Sequence, residues 1–196
     1  MGAGTLFLIL TVAVAALVVL IYNRLITLRN RFLNSFSQIE VQLQRRYELI
    51  PNLVETASAY MKHEAETLTA VTQMRNAAHQ RCADAAKAPG DAGAVGALAV
   101  AEGALDSALG RLNVVMENYP ELKADNQMIA LHEELASTEN RISFARQSYS
   151  DSVMEYNIAR EQFPAVLIAI SFSFKEADLF EVREPAAREK LNVSFA

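Results

Sequence analysis

The chain has 196 residues, of which 52% are hydrophobic and 21% charged, and its formal net charge is −5. The acidic balance argues against nucleic acid as the main partner, because phosphate binding needs a basic surface. A single cysteine, Cys82, excludes an intramolecular disulfide framework and a multi-thiolate metal site within one chain.

The apolar residues are concentrated at the N-terminus, where residues 1–23 carry no charged side chain. Residues 5–22 form an apolar run. At about 1.5 Å per residue, this run and its flanks nearly cross a hydrocarbon core about 30 Å thick. Because no basic segment precedes the run, an uncleaved transmembrane anchor over residues 1–23 is favoured over a cleaved signal peptide. Tyr22 is expected at the membrane–water interface.

The charges that follow the apolar run predict its orientation. Between Arg24 and Tyr47 there are five arginines and one acid, a balance of +4, whereas residues 48–196 carry 13 bases and 22 acids, a balance of −9. Positive charge beside a membrane span stays on the cytoplasmic side. We therefore expect the short N-terminus outside and the rest of the chain in the cytoplasm. The arginines expected beside the lipid headgroups are Arg24, Arg29 and Arg31.

Apolar residues at helical spacing predict long helices over residues 24–163. The first is expected to continue from the apolar run to about Leu49 and to end at Pro51, because proline removes a donor and disfavours helix before it. The second is expected to end in a loop at residues 87–93. The predicted fold class is all-α, with the transmembrane helix continuous with a cytoplasmic antiparallel bundle.

The third and fourth predicted helices carry patterns that indicate contact with other helices. Gly96, Gly103 and Gly110 recur every seven residues in the third, and since each costs about 1 kcal/mol against alanine, close helix contact is expected there. In the fourth, mostly apolar and small residues alternate in steps of three and four, which is typical of a packing seam. A seam within one chain is favoured over an intermolecular coiled coil. The seam residues are Met128, Leu131, Leu135, Thr138, Ile142, Ala145, Tyr149, Ser152, Tyr156, Ala159 and Phe163.

The C-terminal segment, residues 164–196, is rich in phenylalanine. We expect an ordered strap packed on the bundle, since disordered segments are poor in aromatic residues. The pattern leaves open whether residues 165–174 form a helix or a strand. The phenylalanines are Phe172, Phe174, Phe180 and Phe195.

Motifs for catalysis and metal binding are missing from the sequence. A di-iron site in a helical protein needs Glu-x-x-His on two helices, but no Glu stands three residues before His63, His79 or His132. The His-Glu pairs at His63 and His132 lack the second histidine of a zinc protease. Cys82, in an alanine-rich helix, is interpreted as structural. We therefore predict no enzyme, no cofactor and no metal site.

Four charged residues are candidates either for structural pairing or for docking a partner. Arg45 and Arg46 lie in the first predicted helix, and Glu139 and Arg141 flank the seam of the fourth. Pairing across the bundle is favoured. Burial distinguishes the two interpretations, because paired charges should be covered whereas a docking patch should leave one sign exposed.

The membrane-proximal part of the first helix is predicted to be incompletely covered in a monomer. We expect the other helices to reach only its distal part, which would leave five residues partly exposed: Leu25, Ile26, Leu28, Phe32 and Leu33. An apolar patch of this kind usually marks an interaction surface. The sequence therefore predicts a homo-oligomer that forms through this face.

Several segments, in order along nearly the whole chain, resemble the signature of the LemA family. Phe36 stands where many members have Trp, and Ser150 stands where Asn often follows Tyr149. The matching segments are residues 22–25 (YNRL), 38–54 (QIEVQLQRRYELIPNLV), 119–124 (YPELKA), 138–142 (TENRI), 156–157 (YN) and 163–164 (FP).

This resemblance implies a single-pass protein of the bacterial inner membrane with a cytoplasmic helical bundle and no known catalytic residues. A scaffold that acts by self-assembly or membrane organisation is expected, with membrane lipid and further copies as partners. The alternative is a membrane-tethered adaptor that regulates a protease or a signalling system, with an unidentified membrane protein as partner. Purification from native membranes separates them, because an adaptor should retain a stoichiometric second protein.

Overall fold

A computed structural model describes residues 2–181 of the chain. Within these residues the structure has helices and no strand, which confirms the predicted all-α class. Residues 25–181, which contain all the buried side chains of the described chain, are called the body below. The helices are α1 (Ala3–Tyr60), α2 (Ala65–Lys87), α3 (Ala92–Met116), α4 (Pro120–Lys123), α5 (Asn126–Glu161) and α6 (Ala165–Ser171).

The first helix, α1, has 58 residues, which corresponds to a length of about 87 Å at 1.5 Å per residue. Its N-terminal part is exposed on all sides and is long and apolar enough to cross a membrane, by length and composition. From Leu25 to Ala57, one face of the same helix is buried. The apolar residues of that face are Leu25, Leu28, Phe32, Phe36, Ile39, Leu43, Ile50, Leu53 and Ala57.

The prediction that α1 ends at Pro51 is wrong, because the helix continues to Tyr60. Pro51 has no N–H to donate to the carbonyl of Tyr47, four residues earlier. Arg75 of α2 supplies the missing donor, with its Nε 2.9 Å from that carbonyl oxygen. The proline is therefore tolerated inside the helix because the side chain of Arg75, 28 residues after Tyr47, replaces the lost hydrogen bond.

α5 packs along α1 in the opposite direction. Arg31 contacts Glu155, and Ser35 contacts Ser152, so residue numbers rise along α1 as they fall along α5. The predicted seam of α5 is buried or half-buried against the rest of the chain, except for Phe163, which lies beyond the end of the helix and is 81% exposed. α2 packs against α1, and α3 packs against α2.

The membrane-proximal patch that the sequence predicts to be partly exposed is largely covered, so the prediction is wrong for Leu25, Leu28 and Phe32 and holds only for Ile26 and Leu33. Leu25, Leu28 and Phe32 are each less than 10% exposed, and Ile26 and Leu33 are half-buried. The physical reason is the length of α5: its 36 residues extend about 54 Å, far enough to follow α1 back towards the apolar run. A self-association surface cannot be placed on this face.

The face of α3 that carries Gly96, Gly103 and Gly110 is open, so the close helix contact predicted there is also wrong. A Cβ added at any of the three would meet no neighbouring side chain or other element within 4 Å. Val100 and Val114, on the same face, are exposed. α3 packs through its opposite face, against α2.

The question left open for residues 165–174 is resolved in favour of a helix, α6, up to Ser171. Beyond α6 the segment of residues 172–181, called the tail, runs back along α1 and α5. Tyr156 donates from its hydroxyl to the carbonyl of Lys175, and Tyr149 donates to that of Asp178, each at 2.8 Å. The predicted strap beyond Glu181, including Phe195, lies outside the described residues.

The loop between α2 and α3 requires glycine at position 90, where residues of the tail pass close to its backbone. Gly90 has a φ of +89°, in the left-handed region that favours glycine. A Cβ there would lie 3.1 Å from both Ala177 and Phe32. Gly90 therefore lets the tail approach α1 closely at this level.

Candidate functional site

A buried cluster of ionisable side chains lies where α1, α3 and α5 converge. Arg46 of α1 is 5% exposed and Glu102 of α3 is 1% exposed. Nη1 of Arg46 donates to Oε2 of Glu102 at 3.1 Å, and the hydroxyl of Tyr47 donates to Oε1. Arg146 of α5 places Nη2 3.5 Å from Oε2 of Glu102. Both oxygens of this carboxylate are therefore occupied by partners within the chain.

The edge of this cluster is formed by two further carboxylates and an aromatic ring. Arg46 also pairs with Asp106 of α3 and with Glu139 of α5. The guanidinium of Arg146 lies 4.7 Å from the centroid of Phe180 in the tail, a cation–π contact. The tail therefore covers one side of the cluster. The Arg46–Glu102 cluster comprises Arg46, Tyr47, Glu102, Asp106, Glu139 and Arg146.

The electrostatics of the cluster are dominated by burial. Burial raises the pKa of Glu102, while the Tyr47 hydroxyl and the two guanidiniums oppose that rise. Burial and the nearby Glu102 charge raise the pKa of Tyr47, so its phenol stays protonated and donates. Each buried charge is compensated by the others, and removal of one would leave an uncompensated charge. The arrangement is suited to fixing the relative register of three helices.

Groups that could support metal or thiol chemistry are not assembled in the described part of the chain. Among residues 2–181, no group of three or more His, Cys, Asp or Glu side chains is placed to hold a metal ion. Cys82 is fully buried, and burial raises its thiol pKa to about 12. The reactive species of cysteine is the thiolate, so this thiol is poorly suited to act as a nucleophile.

The four charges selected from the sequence fall into different environments. Arg46 and Glu139 belong to the cluster described above. Arg45 is half-exposed and pairs with Glu134 of α5, and Arg141 is exposed.

Glu102 was not selected from the sequence, although one signal pointed to it. It is a single acid within an otherwise apolar face of α3, four residues after Leu98 and three before Leu105. Helical spacing places these three residues on the same buried side. An acid at such a position needs buried partners, and the sequence does not show which residues supply them.

The residues predicted to lie at a membrane interface surround the end of the apolar run. Tyr22 is half-buried, with its ring centroid 4.9 Å from that of Phe172. Arg24 and Arg29 are exposed, and Arg31 donates to Glu155 at 2.7 Å. Three exposed arginines therefore follow the apolar run within about two and a half turns.

These features define a class: an all-helical protein whose first helix is long and apolar enough to cross a membrane. The chain belongs to the LemA family, whose model matches residues 35–195. The resemblance seen in the sequence is thereby confirmed. The matched region begins after the apolar run and covers most of the body.

Similar proteins come from several bacteria. Magnetosome protein MamQ of Magnetospirillum gryphiswaldense is 27% identical over 201 residues, with 92% of this chain and 74% of the relative covered. Magnetosome protein MamQ 2 of Paramagnetospirillum magneticum is 27% identical over 202 residues with the same coverage. Protein LemA of Metamycoplasma hominis is 24% identical over 162 residues, with 83% of this chain and 69% of the relative covered.

Proposed function

We propose that the protein is a single-pass, membrane-anchored scaffold that acts by self-assembly or membrane organisation rather than by catalysis. The observation that carries this proposal is the continuity of α1 from the apolar run into the body. Because no loop intervenes, the body is joined rigidly to the apolar run and cannot move independently of it. A scaffold benefits from such a rigid connection, since copies assemble only when equivalent surfaces face each other.

The proposed location is the bacterial inner membrane, with the body in the cytoplasm. The support is the balance of +4 between Arg24 and Tyr47, since positive charge beside a span stays inside. The test is a fusion of alkaline phosphatase to the C-terminus, an enzyme that matures only outside the cytoplasm. We expect no activity in intact cells; an active fusion would reverse the orientation.

The surface proposed for self-assembly is the open face of α3, called the α3 face. Its residues are small or apolar, and it extends about 27 Å along the helix from Gly96 to Val114. Small side chains let a second helix approach closely, and exposed valines supply apolar area to bury. Two relatives are named magnetosome proteins, which supports a role in organising a cellular structure. The α3 face comprises Gly96, Val100, Gly103, Ser107, Gly110 and Val114.

Cysteine cross-linking in native membranes tests this surface. Ser107→Cys places a thiol in the middle of the α3 face, and Ser143→Cys places a matched thiol on the exposed side of α5. The native Cys82 is buried and does not interfere. After oxidation we expect a disulfide-linked dimer from Ser107→Cys and monomer from Ser143→Cys. The α3 face is wrong if Ser143→Cys alone cross-links, and self-assembly is wrong if both stay monomeric and the mass in mild detergent is that of one chain.

Purification of the tagged full chain from native membranes separates the scaffold from the adaptor. A scaffold is expected to retain copies of itself and lipid. A second protein in stoichiometric amount, with no self-association, would overturn the scaffold in favour of an adaptor.

A further inference from the structure

Residues 163–174, called the apolar tip, form an uncharged stretch exposed beside the N-terminal part of α1. The sequence of the stretch is FPAVLIAISFSF, with Glu161 before it and Lys175 after it as the nearest charges. Ile168 and Phe174 of the tip are buried, but four of its other apolar side chains are each more than half exposed, which is unusual for neighbouring residues of a packed body. These side chains are Phe163 (81%), Leu167 (57%), Ile170 (73%) and Phe172 (56%).

The apolar tip packs against the last turn of the apolar run. The ring of Tyr22 lies 4.9 Å from that of Phe172 and 5.6 Å from that of Phe174. Val18 and Ile21 are half-buried, whereas the run before Val18 is exposed throughout. The tip therefore stands at the same level as residues 18–22 of α1.

The base of the apolar tip is closed by polar contacts with α5. The side chain of Asn157 accepts from the backbone N–H of Ala177 at 3.1 Å and donates to its carbonyl at 2.8 Å. Arg160 lies 3.5 Å from Glu176. These contacts hold the C-terminal end of the tip against α5, and the N-terminal end follows α5 directly in the chain. Charged and polar groups therefore lie at the base of the tip and apolar groups beyond it. The shape of the tip is thus set by the fold and needs no partner to form.

We propose that the apolar tip inserts into the cytoplasmic leaflet of the membrane beside α1 and forms a second, interfacial contact with lipid. The inference rests on the proposed anchor, because the level of the tip is given by the apolar run. If residues 5–22 cross the hydrocarbon core, the side chains beside residues 18–22 lie at its cytoplasmic boundary. Apolar helices at that boundary bury their exposed side about 5–10 Å into the headgroup and acyl region. The exposed Arg24 and Arg29 lie just below, at headgroup level.

Lipid is the occupant that the position favours over a second protein. Hydrocarbon surrounds α1 at this level, and the exposed surface of the tip continues that of the apolar run without a charge between them. The two contacts act together, since a helix that crosses the membrane is free to rotate and tilt until a second contact fixes it. The tip would fix the rotation of α1 and the side of the body that faces the membrane.

The absence of tryptophan from the chain allows a direct test with single-tryptophan reporters in the full-length protein. Phe163→Trp and Ile170→Trp report on the tip, and Leu20→Trp, 67% exposed, reports on the apolar run. Phe144→Trp is the matched control, because this residue is 73% exposed but lies about 25 Å from the end of α5 that adjoins the tip. Each variant is reconstituted into phosphatidylcholine vesicles with and without brominated acyl chains, which quench tryptophan on contact.

We expect strong quenching of Leu20→Trp, quenching of both tip reporters at least about half as strong, as interfacial depth implies, and almost none of Phe144→Trp. Quenching of Leu20→Trp without quenching of either tip reporter would overturn the inference and leave the anchor intact. No quenching of Leu20→Trp would refute the anchor itself. A tip reporter that brominated lipid does not quench, but whose emission shifts to the blue as protein concentration rises, would show that a second copy covers the tip. Far-UV circular dichroism of each variant confirms that two independent tip substitutions leave the helices folded.

Discussion

α1 contains two regions that use their apolar side chains in different ways. In the N-terminal region, apolar residues point in all directions and stay exposed, as Leu10 does at 63%. From Leu25 onward, apolar residues recur every three or four positions and are buried, as Leu43 is completely. A single continuous helix therefore has an N-terminal region whose apolar surface is exposed and a second region whose apolar face is covered by the body. A helix that is apolar on all sides needs a partner outside the chain, whereas a helix with one apolar face finds its partner within it.

The second region also buries charge, which the first does not. Arg46 lies on the same face as Leu43 and Ile50 and is covered because carboxylates of two other helices meet it. Packing in this region is thus specified by apolar contact together with ion pairs.

The largest effect is expected from Arg46→Met. It leaves Glu102 buried with one of its two arginines missing, and removal of one member of a buried ion pair costs about 3–5 kcal/mol. Urea unfolding in mild detergent measures this loss. Near-UV circular dichroism reports it, because the buried tyrosines, among them Tyr47 and Tyr149, are the main chromophores in a chain without tryptophan.

Two further variants control for this experiment. Arg45→Met changes the neighbouring, half-exposed arginine and should have little effect. Glu102→Gln combined with Arg46→Met should recover part of the stability, because it also removes the buried negative charge. Equal losses from Arg45→Met and Arg46→Met would contradict the structural role of the cluster.

A matched pair of leucine truncations compares the two regions directly. Leu43→Ala creates a cavity in the body and is expected to cost about 2–5 kcal/mol. Leu10→Ala removes the same atoms from an exposed side chain outside the body. The unfolding free energy of the body should therefore not change. The same urea titration measures both. If Leu10→Ala destabilises the body as much as Leu43→Ala, the N-terminal region is part of the packed core and the comparison fails.

The smallest loss of stability is expected when the hydrogen bond that compensates for Pro51 in α1 is removed. Arg75→Leu leaves the carbonyl of Tyr47 without its donor, at a cost of about 1–3 kcal/mol. In a Pro51→Ala background the cost should shrink, because the alanine N–H then donates to the same carbonyl. A double-mutant cycle measures this coupling. A cost of Arg75→Leu that is the same in both backgrounds would show that Arg75 acts elsewhere.

Much of the fold was predictable because it depends on local periodicity. The seam of α5 predicted which side chains would be covered, and the loop before α3 was marked by Pro89 and Gly90. The sequence did not predict as well which helix packs against each apolar face. The same periodicity in α3 suggested contact at Gly96, Gly103 and Gly110, where the structure has an open face.

The candidate sites were predictable only in part. Arg46 was selected as a charge of the first helix and Glu139 as a charge beside the α5 seam, but Glu102, which pairs with Arg46 and Arg146, was not selected. Its neighbours along the chain are ordinary residues of an apolar helix, and the groups that compensate its charge lie on α1 and α5. Similarly, only the structure shows that the exposed apolar side chains of the tip form one surface beside the end of the apolar run.

The sequence by itself determined the helical class, the apolar run and the positions of the main packing faces, because these follow from spacing and composition within a few turns. Only the tertiary structure decided where α1 ends, which charges are buried and which apolar residues remain uncovered. Each of these depends on groups far apart in the chain: Arg75 supports Pro51, Glu102 receives Arg46, and α5 returns to cover Leu25 and Phe32. Local periodicity shows that a side chain needs a partner, and only the packing of distant segments shows which one it meets.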